Sequence, residues 1–388
     1  MTILFYRYGS ICEPAIIQTF RQNGLTVVEI DDEITNKKIQ ASKRVEIIHN
    51  HISQYQPLFV FSINFFPSIA DICRIHNMLY LCWTVDSPVL ELFSNSIQHN
   101  TNRIFMFDGA QYEYFSSYNP ENIFHLPLAA DVPHYNNVIS SITPTDRETY
   151  ATDISFVGSL YTEKNPLHHL TLSPYNKGYV EGIINSAMKV YGHNFIQEMV
   201  TPELINDFKN AGAAFFNSDN LITNPEAYII AHNYIGYHVA ETERIHTLNK
   251  LAKHFSVDLY TRSDTTLLKN VRIHNGVQTL TEMPKVFNLS KININMTIKP
   301  IQTGLPLRIF DIMGCGGFLM TNYQSELTEH FEIGTDLEAY ASMDELIEKC
   351  AFYLEHEDIR TQIALSGYEK VQKYHTYQNR IMEMLKRL

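Results

Sequence analysis

Short apolar runs, each followed by a segment with helical spacing, recur along the first third of the chain and restrict it to few folds. Ile3 to Tyr6 is the first run. Glu13 to Asn23 follows with Ile16, Ile17 and Phe20 on one helical face, and Gly24 stands where a helix C-cap is expected. Leu25 to Ile30 is the second run, and the rhythm repeats at residues 58–63, 79–83, 103–107 and 123–126. Helical spacing separates several of these runs, at residues 68–77 and 89–98. Strands that are apolar nearly throughout, joined by amphipathic helices, belong to a parallel sheet covered on both faces.

Such sheets take ligands beyond the carboxyl ends of their strands. Those ends carry Gly9-Ser10, Asn64, Asp86-Ser87-Pro88 and Asp108-Gly109. Pro88 suits a first helical position with Asp86 or Ser87 as its cap. Asp86 is therefore read either as a cap or as a catalytic or acceptor-binding group. No G-x-G-x-x-G follows the first strand, so a dinucleotide fingerprint is absent there.

The chain turns polar between Asp131 and Asp153 and carries Pro133 and Pro144, which marks a connector. A second series begins at Ile154 and ends in the small-residue turn Gly158-Ser159. Residues 162–250 are mostly helical in spacing, too long for one crossover, and read as an insertion. Strands resume at 257–260, 271–274, 292–296 and 317–321, and two helices fill the tail. The expected fold is α/β with two Rossmann-like doubly wound parallel sheets facing a cleft. The expected domains are 1–148, 149–375 with a helical insertion at about 162–250, and a C-terminal helix, 376–388, returning toward the first domain.

Composition narrows the partners. Thirty basic against 42 acidic side chains give a formal charge of −12, unsuited to a general nucleic-acid binder. Five cysteines with no CxxC pair fit a reducing cytosol better than a disulfide framework or a thiolate zinc site. The first residues lack the basic start of a signal peptide, and no stretch approaches the ~18 apolar residues of a membrane span. A cytoplasmic location is expected. His168-His169 reads as surface or packing, since no carboxylate partner is evident.

The segment from Ile301 to Gly317 carries the chemistry. It leaves a strand, turns through Thr303-Gly304-Leu305 and enters a short helix, with Pro306 and Leu307 in its first turn. The N–H groups and dipole of a helix start attract an anion, and Arg308 adds a bidentate cation. Asp311 is three residues on, hence on the same face, and can accept hydrogen bonds from a vicinal diol. Together they describe a site for a nucleoside diphosphate; the alternative is a local Arg308–Asp311 ion pair on a capped helix. Gly158-Ser159 allows close approach to phosphates. Arg244 and Arg262 are further cation candidates, although lone arginines are usually exposed. Val271 to Val277, with Asn275-Gly276 as its turn, is a candidate for base recognition. Asn293 and Asn295 share one strand face and either line the site or satisfy buried backbone groups.

From about Ile154 onward the chain resembles the spore-maturation CgeB-like glycosyltransferases, which have the GT-B fold. Asp153-Ile154-Ser155-Phe156-Val157-Gly158, Ser290 to Asn295, Gly304 to Thr321 and Tyr374-His375-Thr376-Tyr377 carry the likeness. Trp83 to Pro88 and His125-Leu126-Pro127 are similar to the N-terminal domain that accompanies it. The resemblance implies a nucleotide-sugar donor, UDP by family frequency, in the second domain. It implies an acceptor in the first, whether protein, glycan or small molecule. It also implies that Asp311 stands where relatives hold the ribose with a Glu, one methylene longer, and that Thr303 stands where many retaining relatives have a second acid. Asp-x-Asp is missing from any convincing strand end, so transfer without a metal or other cofactor is expected; an inverting enzyme needs a base, with Asp86 as the first candidate and His125 and Asp108 behind it, whereas a retaining one needs none there. A nucleotide-sugar 2-epimerase and a non-catalytic nucleotide-sugar-binding or assembly protein are the alternatives.

Overall fold

A computed structural model of the chain describes residues 1–37, 39–216 and 220–388. Two compact units emerge. One holds Met1–Leu128, residues 220–225 and Tyr377–Leu388; the other holds Ala129–Phe216 and Glu226–Thr376.

The first unit is built on six strands: β1 (Thr2–Tyr6), β2 (Thr26–Ile30), β3 (Phe59–Ile63), β4 (Leu79–Trp83), β5 (Asn102–Met106) and β6 (Ile123–His125). All pair in parallel in the order β2-β1-β3-β4-β5-β6. Every residue of β3 is buried, as its unbroken apolar run requires. Phe5 and Phe61 are register partners on β1 and β3 with ring centroids 5.0 Å apart, and Phe20 from the helix Glu13–Gln22 closes on Phe61 at 5.2 Å. Each such ring pair adds about 0.5–1.5 kcal/mol beyond area burial. Gly24, with φ +80°, ends that helix as its position after Asn23 predicted.

The second unit has β7 (Thr152–Val157), β8 (Val257–Thr261), β9 (Arg272–Asn275), β10 (Ser290–Asn295), β11 (Leu319–Asn322) and β12 (Glu338–Tyr340). Its parallel order is β12-β11-β10-β7-β8-β9. Ile154, Leu259, Ile292, Ile294 and Met320 form the centre of its core.

Three readings change. The polar stretch between Asp131 and Asp153 is two helices, Val132–Ser140 and Pro144–Tyr150, and not an irregular connector. Its two prolines occupy first-turn positions, where the missing N–H costs nothing. Asp131 caps the first helix, and Thr143 with Asp146 forms a reciprocal capping box on the second. The single helix expected over 89–98 is two 3-10 segments, Leu90–Phe93 and Asn95–Gln98. Phe93 O and Asn95 N are taken by Ile222 N and Asn220 O, which a continuous helix could not spare. Pro88 follows a cis peptide and precedes these segments instead of opening a helix.

Candidate functional site

The order of the second sheet reverses at β7, which has β8 on one side and β10 on the other. Ligands of open α/β sheets bind at that point, beyond the carboxyl ends. There β7 ends in Gly158-Ser159 and β10 in Met296. Arg244, from the helix Tyr237–Leu251, reaches both ends: one guanidinium nitrogen donates to Ser159 O at 2.6 Å and another to Met296 O at 2.6 Å. Its guanidinium lies over the Phe156 and Tyr161 rings, 5.3 and 4.8 Å from their centroids. Its Nε is buried with no hydrogen-bond partner among the described residues. Burial lowers the Arg244 pKa; Tyr161 and Glu243 oppose that, and the Arg308 charge adds to it. Arg244 and Arg308 thus lie close enough for their charges to act on one another.

Arg308 stands in the first turn of the helix Leu307–Gly314. The start of a helix leaves N–H groups without intrahelical partners. Pro306 sits one residue earlier than expected, as the N-cap, and its carbonyl accepts the Ile309 N–H at 3.1 Å. The preceding loop is fixed from the side: Gln324 Nε2 donates to Ile301 O and Gly304 O at 3.1 and 3.4 Å, and Leu305 is buried. Thr303 Oγ1 donates to Glu326 Oε1 at 2.6 Å. A carboxylate therefore meets the position whose own side chain lacks one. Gly317 lets the chain turn back into β11, since a Cβ there would stand 2.5 Å from Phe287 O.

Asp311 is 3% exposed and engaged. Its Oδ1 accepts the Tyr135 hydroxyl at 2.6 Å, and its Oδ2 lies 3.3 Å from Arg308. The local ion pair left open by the i, i+3 spacing is formed. Burial raises the Asp311 pKa, against the lowering effects of Arg308 and Tyr135. Arg308 also contacts Met283 Sδ and covers the Phe287 ring. Arg308 is thus aimed by its neighbours, and Asp311 is one of them.

Arg262, Asn275 and Gly276 form a separate group at the sheet edge, past β8 and β9. Arg262 and Asn275 are exposed, and a Cβ on Gly276 would stand 2.7 Å from the Arg262 stem. Ser263 ties the loop after β8 to that after β7 by accepting the Leu160 N–H at 2.8 Å. Asn293 and Asn295 are buried in the sheet. Asn293 Nδ2 donates to Phe287 O at 3.0 Å, and Asn295 Nδ2 donates to the Thr297 and Thr321 hydroxyls at 3.0 and 2.9 Å.

In the first unit Asp86 is exposed beyond β4. Its Oδ2 accepts from Asn64 Nδ2 at 2.7 Å, and the same amide donates to Tyr8 Oη at 3.0 Å. Asn64, at φ +56°, also accepts the Val85 N–H at 3.0 Å. Burial raises the Tyr8 pKa, and the Asp86 charge adds to the shift. Asp108 is fully buried and caps the helix Gly109–Ser116. His125, on β6, faces the Tyr112 ring at 6.1 Å.

The structure adds to the sequence reading at three residues. Arg244, one of two further cation candidates, has its guanidinium drawn into the strand ends; its carbonyl partners lie 85 and 52 residues away, so no local spacing announces them. His168 does have a carboxylate partner, Glu241, at 2.8 Å. Glu326 gave no local sign of its place beside Thr303.

A family model described as glycosyl transferase-like matches residues 242–386. No curated protein matches the chain. Among solved structures, a sucrose-phosphate synthase of Thermosynechococcus elongatus is similar at 9% identity and TM-score 0.55, over 100% of this chain and 98% of that one. A glycosyltransferase of Rickettsia africae ESF-5 is similar at 9% identity and TM-score 0.53, over 99% and 97%. Alr3699/HepE of Anabaena, in complex with UDP-glucose, is similar at 11% identity and TM-score 0.51, over 100% of both chains. The two six-stranded parallel sheets with flanking helices are the GT-B fold of these proteins.

Proposed function

We propose that the chain is a glycosyltransferase of the CgeB-like kind that takes its sugar from a nucleoside diphosphate, with UDP as the donor nucleotide. The observation that carries this reading is the Arg244 guanidinium across the ends of β7 and β10, with Arg308 in the first turn of the nearby helix. Sugar transfer builds negative charge on the departing diphosphate, and fixed cations and N–H dipoles stabilise that charge best where water is excluded. Arg244, Arg308 and the start of the helix Leu307–Gly314 supply both kinds. The glycosyl transferase-like match spans all three, and the fold similarity to a UDP-glucose complex supports the choice of nucleotide.

In this reading Asp311 holds Arg308 in place, and sugar hydroxyls meet other groups. Arg262, Asn275 and Gly276 receive the base at the edge of the sheet. The strand ends of the first unit receive the acceptor, with Asp86 as general base, held by Asn64. Transfer draws its charge compensation from the protein's own cations, so added magnesium or manganese leaves the rate unchanged.

The test is calorimetry of UDP, GDP, dTDP and CMP against the wild type and Arg308→Ala, followed by product analysis with UDP-sugars and an acceptor panel. Selective UDP binding that weakens in the variant is expected. Equal indifference to all four nucleotides would remove the proposal, and sugar isomerisation without an acceptor would replace it with an epimerase.

A further inference from the structure

His168, His238 and Glu241 bring three ligand atoms within 4.8 Å of one another. His238 and Glu241 are an i, i+3 pair on one face of the helix Tyr237–Leu251, and His168 comes from the 3-10 segment Pro166–His169. Asn165 stands in their midst. Its Oδ1 accepts the Leu167 N–H at 3.1 Å, which fixes the amide orientation and sends Nδ2 into the group. There Nδ2 lies 3.2 Å from His168 Nε2 and 2.8 Å from His238 Nδ1, and it also contacts Glu241 Oε2.

The hydrogen bonding of His168 does not close. Its Nε2 faces a carboxylate, which only accepts, at 2.8 Å, and an amide –NH2, which only donates, at 3.2 Å. A proton on Nε2 opposes the amide; a bare Nε2 opposes the carboxylate. A cation in the place of Asn165 Nδ2 would satisfy the lone pairs of all three groups at once.

We infer that His168, His238 and Glu241 bind a divalent transition-metal ion of the zinc type, with the Asn165 amide yielding the centre to it. Two imidazoles and one carboxylate are a zinc donor set with a fourth position left for water. Both histidines and Glu241 line a pocket at the surface, which gives the ion its path of access. The ion would brace the segment Pro166–His169 against the helix that carries Arg244, one turn beyond Glu241. The ion takes no part in the proposed transfer, so its test is independent of the donor.

The untagged chain, stripped with a chelator and dialysed, is titrated with zinc against a chromophoric competitor, beside His168→Ala and His169→Ala. One tight site is expected in the wild type and in His169→Ala, with affinity lower in His168→Ala by at least the roughly 10- to 100-fold that loss of an outer-shell partner already costs. Zinc should raise the melting temperature of the first two only. Cobalt loaded into the wild type should show tetrahedral d–d absorption, a reading that needs no variant to fold. Equal zinc affinity in His168→Ala and wild type, or a wild-type cobalt spectrum without those bands, overturns the inference.

Discussion

Arg244→Met separates the two duties of the central arginine. The variant keeps most of the side-chain volume and removes the charge and every donor. Two contacts of 2.6 Å to Ser159 O and Met296 O disappear. Each of the two buried acceptors left alone costs ~1–3 kcal/mol, together roughly 2–6 kcal/mol. Part of that returns because a desolvated guanidinium is itself unfavourable, so the expected net loss of stability is about 2–4 kcal/mol. Loss of one charge-assisted contact to a phosphate costs ~1.5–3 kcal/mol, or roughly 10- to 150-fold in UDP affinity. Arg244→Lys should fall between, because an ammonium keeps the charge but lacks the planar fork that spans two carbonyls. Urea denaturation reads the first quantity, and calorimetry with UDP at temperatures where each variant is folded reads the second. A folded Arg244→Met that binds UDP like the wild type would show that the arginine only pins the strand ends, and the donor-site argument would fail.

Arg308→Ala should weaken UDP by about tenfold or more while changing the melting temperature less than Arg244→Met does, since Arg308 is partly exposed. Asp311 has a raised folded pKa from burial, so its stabilising contribution exists at low pH and is lost as pH rises through the folded value. Asp311→Asn should accordingly gain stability relative to wild type between pH ~4 and neutrality, measured by melting across pH; a flat difference refutes this. His232 is fully buried, and burial depresses its pKa from 6.5 to about 3. Its neutral form supports folding above pH ~6.5 and that support is lost as pH falls toward ~3, a change on the order of 5 kcal/mol. His232→Leu should denature at a lower pH than wild type. Asp86→Asn should cut transfer by about 100-fold or more with UDP affinity unchanged, and a kcat that does not move would remove Asp86 from the chemistry.

Strands were legible wherever burial on both faces wrote itself as an unbroken apolar run, as in Phe59–Ile63. β12 escaped notice because three residues, Glu338–Tyr340, are too few to make a pattern. The helices after Asp131 were hidden by their own caps: Pro133, Pro144 and the polar capping residues resemble a break when read without the turns they begin. At the site, the helix start and Arg308 were visible because their relation is local. The tie of Arg244 to two distant carbonyls, the approach of Glu326 to Thr303 and the closing of Tyr135 on Asp311 are tertiary events between side chains far apart in the sequence. Asp311 shows the limit most clearly, since the i, i+3 spacing allowed both a diol acceptor and an ion pair.

The first unit is completed by residues that come after the whole of the second. Tyr377 sets its ring edge-on to Trp83 at 6.1 Å, and Arg380 Nε donates to Pro127 O at 2.7 Å and Leu128 O at 3.1 Å. Residues 220–222 supply the backbone partners of Phe93 and Asn95. A ribosome that has released β1 to β6 has therefore not yet delivered the whole of that unit, and the nascent sheet must wait through synthesis of the other for its final helix.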